Sequence, residues 1–123
     1  MYTLPKSERL SSERAIKSLF ESGQGDFVYP FRYIFAVVEQ AESAGGVKVV
    51  VSVSKRNHKR AVVRNLIKRR TREAYRLHKA PLLAAYGATE LHLALVYASK
   101  KVEEYQVIEA AVQKILGKLR AHR

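Results

Sequence analysis

Between Lys55 and Lys79 the chain reads KRNHKRAVVRNLIKRRTREAYRLHK, and no other stretch restricts the fold as strongly. Eleven of its twenty-five residues are Lys or Arg, and Glu73 is the only acid. From Ala61 onward apolar residues recur at helical spacing, which predicts a basic loop running into a long amphipathic helix that reaches Lys79. At about 100° per residue, with Arg64 at zero, Arg64, Lys68, Tyr75, Arg72, Asn65, Arg76 and Arg69 fall within roughly 0–140°. Val63, Leu66, Ile67, Ala74 and Leu77 fall within roughly 200–300° and are expected to face a core.

A charged helix is often just a solvated face laced with i,i+4 ion pairs. Here one carboxylate would have to neutralise ten neighbouring cations, and like charges this dense repel one another. A polyanion turns that repulsion into attraction. The formal net charge of +12 and pI of about 10.2 point the same way, to nucleic acid or an anionic membrane. The longest apolar run, Leu93 to Ala98, is far too short to span a bilayer, and Trp is absent, so no membrane partner is expected. MYTLPKSERL is not followed by an apolar segment of signal-peptide type. With no Cys there is no disulfide framework or thiolate metal site, which fits a reducing cytoplasm, the expected location. Length favours a single domain over residues 1–123, large enough to bury a core unaided.

Ser11 or Ser12 can cap a short helix over Glu13–Glu21, ended by the turn Ser22-Gly23-Gln24-Gly25-Asp26. Phe27, Tyr29, Phe31, Tyr33 and Phe35 stand at i,i+2 spacing and share a face wherever the backbone is extended. Pro30 breaks this run into a short strand, a bend and a strand over Phe31–Val38. A turn with Gly45-Gly46 at its tip leads to a strand over Val47–Ser54, which is apolar enough to be buried on both faces. After the basic helix, Pro81 is compatible with a fresh turn and Gly87 with a stop. LHLALVY at Leu91–Tyr97 reads as a strand, and Glu103–Leu119 as a final amphipathic helix. The order is α-β-β-β-α-β-α: an α+β two-layer sandwich of helices on one mixed sheet, with the Val47 and Leu91 strands a parallel pair joined through the long helix.

No catalytic constellation is present. His58, His78, His92 and His122 lack metal-site spacing, Ser52 and Ser54 lack a nucleophile-elbow glycine frame, and Gly45-Gly46 lacks a following GK[ST]. His92 is expected on an exposed strand face. His58 and His78, flanking the basic helix, are candidates for additional phosphate contacts. No metal, small-molecule substrate or DNA is expected as a ligand; the single long helix shows no helix-turn-helix spacing. Arg64, Lys68 and Arg72 step one turn apart, about 6 Å. Arg suits bidentate phosphate contact, and Asn65 can serve a phosphate or a 2′-hydroxyl. Such a helix suits structured RNA, where shape and backbone are read more than base edges.

Arg64-Asn65-x-Ile67-Lys68-Arg69-x-x-Arg72-Glu73, approached by Val53-Ser54-Lys55-Arg56 and Arg60-Ala61, resembles the RNR motif of the bacterial ribonuclease P protein family. LPKSERLSSERAIKSLFESG is similar to that family's lead-in, first helix and glycine turn, and the element order also agrees, so the resemblance covers nearly the whole chain. It implies a left-handed β-α-β crossover, the reverse of the general rule. It implies the small partner of a catalytic RNA that removes the 5′ leader of precursor tRNA by Mg²⁺-dependent phosphodiester hydrolysis, the metal being held by the RNA. Lys55, Arg56, Lys59, Arg60, Arg64, Asn65, Lys68, Arg69, Arg70, Arg72 and Arg76 would form the RNA-binding surface. A cleft between the basic helix and the sheet would hold the single-stranded leader.

Two departures bear on that assignment. Leu66 stands where the family's triplet ends in Arg, and Arg70 where a Leu is usual, which reads as a charge moved one helical turn, with the Arg70 stem lying over the core edge. Aromatic residues are common in the family's leader cleft, yet the matching positions are Ile16, Phe20 and Ile34, with Arg32 beside Ile34 on the same strand face. The competing reading is a ribosomal or chaperone-like structured-RNA-binding protein without a link to cleavage. A stand-alone nuclease would require a convergent carboxylate or His cluster.

Overall fold

Phe31, Tyr33 and Phe35 point to one face of a strand, and the helices that cover them decide the architecture. The structure, a computed structural model, describes residues 4–38, 46–87 and 89–122. A 3-10 turn (Lys6–Glu8) leads to α1 (Glu13–Ser22), β1 (Gln24–Val28), β2 (Phe31–Val38) and β3 (Gly46–Val53). α2 (Ala61–His78), α3 (Ala80–Tyr86), β4 (Glu90–Tyr97) and α4 (Tyr105–His122) follow. The turn expected at 41–45 lies outside the described residues.

The sheet order is β1-β2-β4-β3; β1/β2 and β2/β4 are antiparallel, and β3/β4 are parallel. The mixed α+β sheet and its parallel pair are as expected, but the pair is bridged by two helices, α2 and α3, where the expected order has one. Ser12 caps α1, its hydroxyl accepting from the Ala15 amide at 3.3 Å. Pro81 sits in the first turn of α3, where it costs no helical hydrogen bond, and Gly87 ends that helix at φ 43°.

One face of the sheet carries Phe31, Tyr33 and Phe35 of β2, Val47, Val49 and Val53 of β3 and Leu91, Leu93, Leu95 and Tyr97 of β4. They pack on Ile67, Ala74 and Tyr75 of α2, Leu82 and Tyr86 of α3, and Ile108, Val112, Ile115 and Leu119 of α4. Among the described residues, α1 and the segment ahead of it cover the other face, where Leu19 and Leu10 close over Ile34 and Ala94. Ten residues of helix, about 15 Å, do not roof four strands. Burial on both faces, expected for β3, is therefore not found: Val47, Val49, Val51 and Val53 are buried, while Lys48, Val50 and Ser52 are half-buried.

The segment ahead of α1 straps the free edge of β3. Arg9 bridges to Val49 in parallel, and the Leu10 amide donates to the Val49 carbonyl at 3.0 Å. Leu4 enters the large core on one side of the edge and Leu10 the small core on the other. Glu8 accepts from Lys79 Nζ at 2.7 and 3.0 Å, fixing the strap to the end of α2. Covering the edge removes a template for strand addition.

Candidate nucleic-acid interface

α2 begins without a side-chain cap and without an acid in its first turn. Cations at that end oppose the helix dipole, and an external anion would relieve the conflict. The buried stripe is Ile67, Thr71, Ala74 and Tyr75, centred some 60–80° from the arc expected to face the core. Tyr75, expected on the basic arc, is fully buried, and Leu77, expected inward, is 51% exposed. The shift arises because α2 packs into the angle between the sheet and α4, and Thr71 tolerates the centre of the stripe by donating its hydroxyl to the Ile67 carbonyl at 2.8 Å.

None of the eleven basic-surface residues is buried. Lys55, Arg56, Lys59, Arg60, Asn65, Arg69 and Arg76 are exposed, and Arg64, Lys68, Arg70 and Arg72 are half-buried along the margins of the stripe. Three of the arginines serve the fold. Arg64 Nη1 donates to the carbonyls of His58 (2.9 Å) and Lys59 (2.8 Å), so the helix holds its own approach loop. Arg70 Nη1 donates to the Glu103 carbonyl at 2.7 Å, and Arg76 pairs with Glu73 at 2.6 Å. Among the described residues, the side chains of Lys55, Arg56, Lys59, Arg60, Lys68, Arg69 and Arg72 make no hydrogen bond or ion pair with the protein. Seven uncompensated cations on one loop and one helix face are what remains.

The loop itself is built. The Ser54 carbonyl accepts from the His58 amide (3.0 Å) and the Ser54 hydroxyl from the Arg56 amide (3.1 Å). His58 is not available to phosphate: it is 6% exposed, and its Nε2 bonds the Ser99 carbonyl at 2.8 Å. His78 is likewise engaged, with Glu109 at 3.0 Å. His92 is half-buried rather than exposed, its Nε2 on the Glu90 carboxylate. All three sit where packed elements meet, which a linear sequence does not mark. Among the described residues, no three His, Asp or Glu side chains converge as a metal would require.

Ile67, Ala74 and Tyr75 fill the middle of the space expected as a cleft between the basic helix and the sheet, which among the described residues stays open only at the β3 edge. Ile16, Phe20, Arg32 and Ile34 gather instead on the opposite face, at α1. Ile16 and Ile34 join the small core that seats the helix, whereas Phe20 is 46% exposed and Arg32 is exposed. Pairing of Arg32 with Val96 and of Ile34 with Ala94 sets the strand register that puts Phe31, Tyr33 and Phe35 on the core side.

Sequence reading missed two residues near these surfaces. Arg9, on the strap, lines with Arg72 and Val49 to Val51 a cavity of about 150 Å³, so the cations of α2 meet a further one at the β3 edge. Phe27, 52% exposed, shares the i,i+2 row of Phe31, but the chain reverses at Tyr29-Pro30 and pairs Phe27 with Arg32 on the other face. The Pro30 break was the available signal for that reversal.

Such a surface can grip a folded polyanion. Known proteins resemble this chain in sequence and in fold. A sequence profile of the family described as Ribonuclease P matches residues 4–120. The ribonuclease P protein component of Porphyromonas gingivalis is 34% identical over 117 residues, covering 94% of this chain and 85% of that one. That of Petrotoga mobilis is 30% identical over 119 residues, covering 97% of both. In fold, the RNase P protein of Thermotoga maritima superposes with a TM-score of 0.70 at 17% identity, covering 90% of this chain and 96% of that one. The Staphylococcus aureus RNase P protein gives 0.66 at 21%, covering 96% and 93%. No helix among the described residues is long and apolar enough to cross a membrane. A profile match across nearly the whole chain, on a fold that leaves its basic helix open, makes this chain a member of the ribonuclease P protein family.

Proposed function

We propose that the loop from Lys55 to Arg60 and the outer face of α2 bind the catalytic RNA of ribonuclease P, and that this RNA, with its own Mg²⁺, cleaves the 5′ leader from precursor tRNA in the cytoplasm. The protein is then the accessory subunit of a tRNA-processing endoribonuclease. It lowers the electrostatic cost of bringing two polyanions together and holds the single-stranded leader on the α1 side of the sheet. One observation carries the reading: among the described residues, seven cations of the loop and α2 have no protein partner.

The test mixes the protein with a bacterial ribonuclease P RNA and precursor tRNA at low Mg²⁺, where RNA–RNA repulsion is least screened. Stimulated cleavage that requires the RNA is expected. Cleavage by the protein alone would assign the chemistry to the chain. Binding of the RNA without stimulation would return the protein to general RNA binding.

A further inference from the structure

The segment between β4 and α4, residues 98–104, ties several elements together at one end of the sheet. Two of its residues, Ser99 and Glu103, each hold on in two directions. The Ser99 carbonyl accepts from His58 Nε2 at 2.8 Å, and the Glu103 carbonyl from Arg70 Nη1 at 2.7 Å. Their side chains both reach Tyr29. The Tyr29 hydroxyl donates to Glu103 Oε2 at 2.6 Å, so its oxygen is left to accept from the Ser99 hydroxyl at 3.0 Å. One arm of each residue therefore grips the RNA-binding loop or α2, and the other grips a single side chain in the turn between β1 and β2.

The segment is also braced within itself. Tyr97 is fully buried, its hydroxyl donating to the Lys101 carbonyl at 2.6 Å and accepting from the Glu103 amide at 3.0 Å. The Lys101 amide donates to the Ser99 hydroxyl oxygen at 3.0 Å, and the Ala98 amide to the Pro30 carbonyl at 2.8 Å. The His58 ring lies beside that of Tyr97, with centroids 5.8 Å apart. A carbonyl can only accept, so the bond to Ser99 requires the His58 proton on Nε2.

We infer that Tyr29 is a positioning residue for the RNA-binding surface: acting through Ser99 and Glu103, it holds the 55–60 loop and the middle of α2 in one arrangement. Among the described residues, Lys55, Arg56, Lys59 and Arg60 have no protein partner, and their mutual repulsion would splay a free loop. The loop's bonds to Ser54 and Arg64 stay within residues 54–64, whereas His58 fastens it to a distant part of the chain. Tyr29 makes no hydrogen bond to the loop or to α2 among the described residues, so its effect passes through the 98–104 segment. A ligand that needs one arrangement binds more weakly in proportion to the time that arrangement is absent. The identity of that ligand rests on the proposed function.

Tyr29→Phe keeps the ring that meets Phe27 edge-on and removes both hydroxyl bonds. Its affinity for ribonuclease P RNA, measured well below the melting temperature, is expected to fall roughly fivefold, as the competent arrangement drops to about one part in five. The salt slope should not change, because no cation is lost. His58→Leu should behave alike, and His58→Gln, whose amide nitrogen can still donate to the Ser99 carbonyl, should recover most of the affinity. In the double variant Tyr29→Phe with His58→Leu the losses should be less than multiplicative, since both break one connection. Tyr29→Phe with a lower melting temperature and unchanged affinity, or losses that multiply, would overturn the inference while leaving the functional reading intact. Wild-type protein without affinity for that RNA would sink the functional reading and this inference with it.

Discussion

Arg70 Nη1 donates to the backbone carbonyl of Glu103 at 2.7 Å, tying the middle of the basic helix to the chain entering α4. The half-buried side chain therefore commits one of its five donors to the fold. The sequence presents Leu66 and Arg70 as a charge moved along the helix; the structure adds that the moved charge has a second task. Arg70→Leu should cost about 1 kcal/mol of stability and reduce the salt slope of RNA binding by less than Arg69→Ala, whose parent side chain is fully available. Thermal unfolding and a salt titration of binding separate the two effects. An unchanged slope would remove Arg70 from the interface.

Arg64 has a stronger internal claim, since one nitrogen serves the carbonyls of both His58 and Lys59. Arg64→Lys keeps the charge but not the fixed geometry of the fork. We expect RNA affinity to fall roughly fivefold, about 1 kcal/mol, with the salt slope unaltered. Unchanged affinity would mean that Arg64 acts by charge alone.

Much of this was legible in the chain. The α+β order, the parallel pair and the open basic helix follow from periodicity and from charge without counter-charge. What failed did so for identifiable reasons. The helical wheel fixes relative angles but not which neighbours the helix lies between, so it puts Tyr75 and Leu77 on the wrong sides. Phe27 and Phe31 share an i,i+2 row in sequence, yet a chain reversal between them sends them to opposite faces. His58, His78 and His92 bond to partners on other elements or to a neighbouring carboxylate, contacts that spacing alone does not reveal.

Tyr75 combines full burial with a hydroxyl that finds no hydrogen-bond partner among the described residues. Burial, assisted by the Glu8 carboxylate, raises its pKa well above the ordinary value of 10.0. Above about pH 10 the unfolded chain thus releases this proton before the folded one does, and stability falls as pH rises. Tyr75→Phe should flatten part of that alkaline decline. At neutral pH it should be neutral or stabilising by up to about 1 kcal/mol, because an unsatisfied polar atom is removed. Denaturant melts at pH 7 and in the alkaline range decide it; a large loss at pH 7 would show that the hydroxyl is bonded.

If five or six of the seven cations reach phosphates, the log–log dependence of RNA affinity on salt should have a slope of roughly −4 to −5. A flat response would leave the basic surface without an electrostatic role.

Phe20 projects from α1 at 46% exposure, while its neighbour Leu19 is buried against the sheet. Ile16 and Ile34, the other positions matched to the cleft, seat α1 on the sheet and have little surface to offer a base. Phe20→Ala should consequently leave folding nearly unchanged and weaken holoenzyme binding of precursor tRNA by up to about tenfold, with mature tRNA unaffected. Ile34→Ala should do the reverse, costing about 2 kcal/mol or more of stability through the cavity it opens beneath α1. Paired measurements of unfolding and of the two tRNA affinities test both expectations. If Phe20→Ala weakens both tRNAs equally, its ring acts through the docking of α1 rather than through the leader.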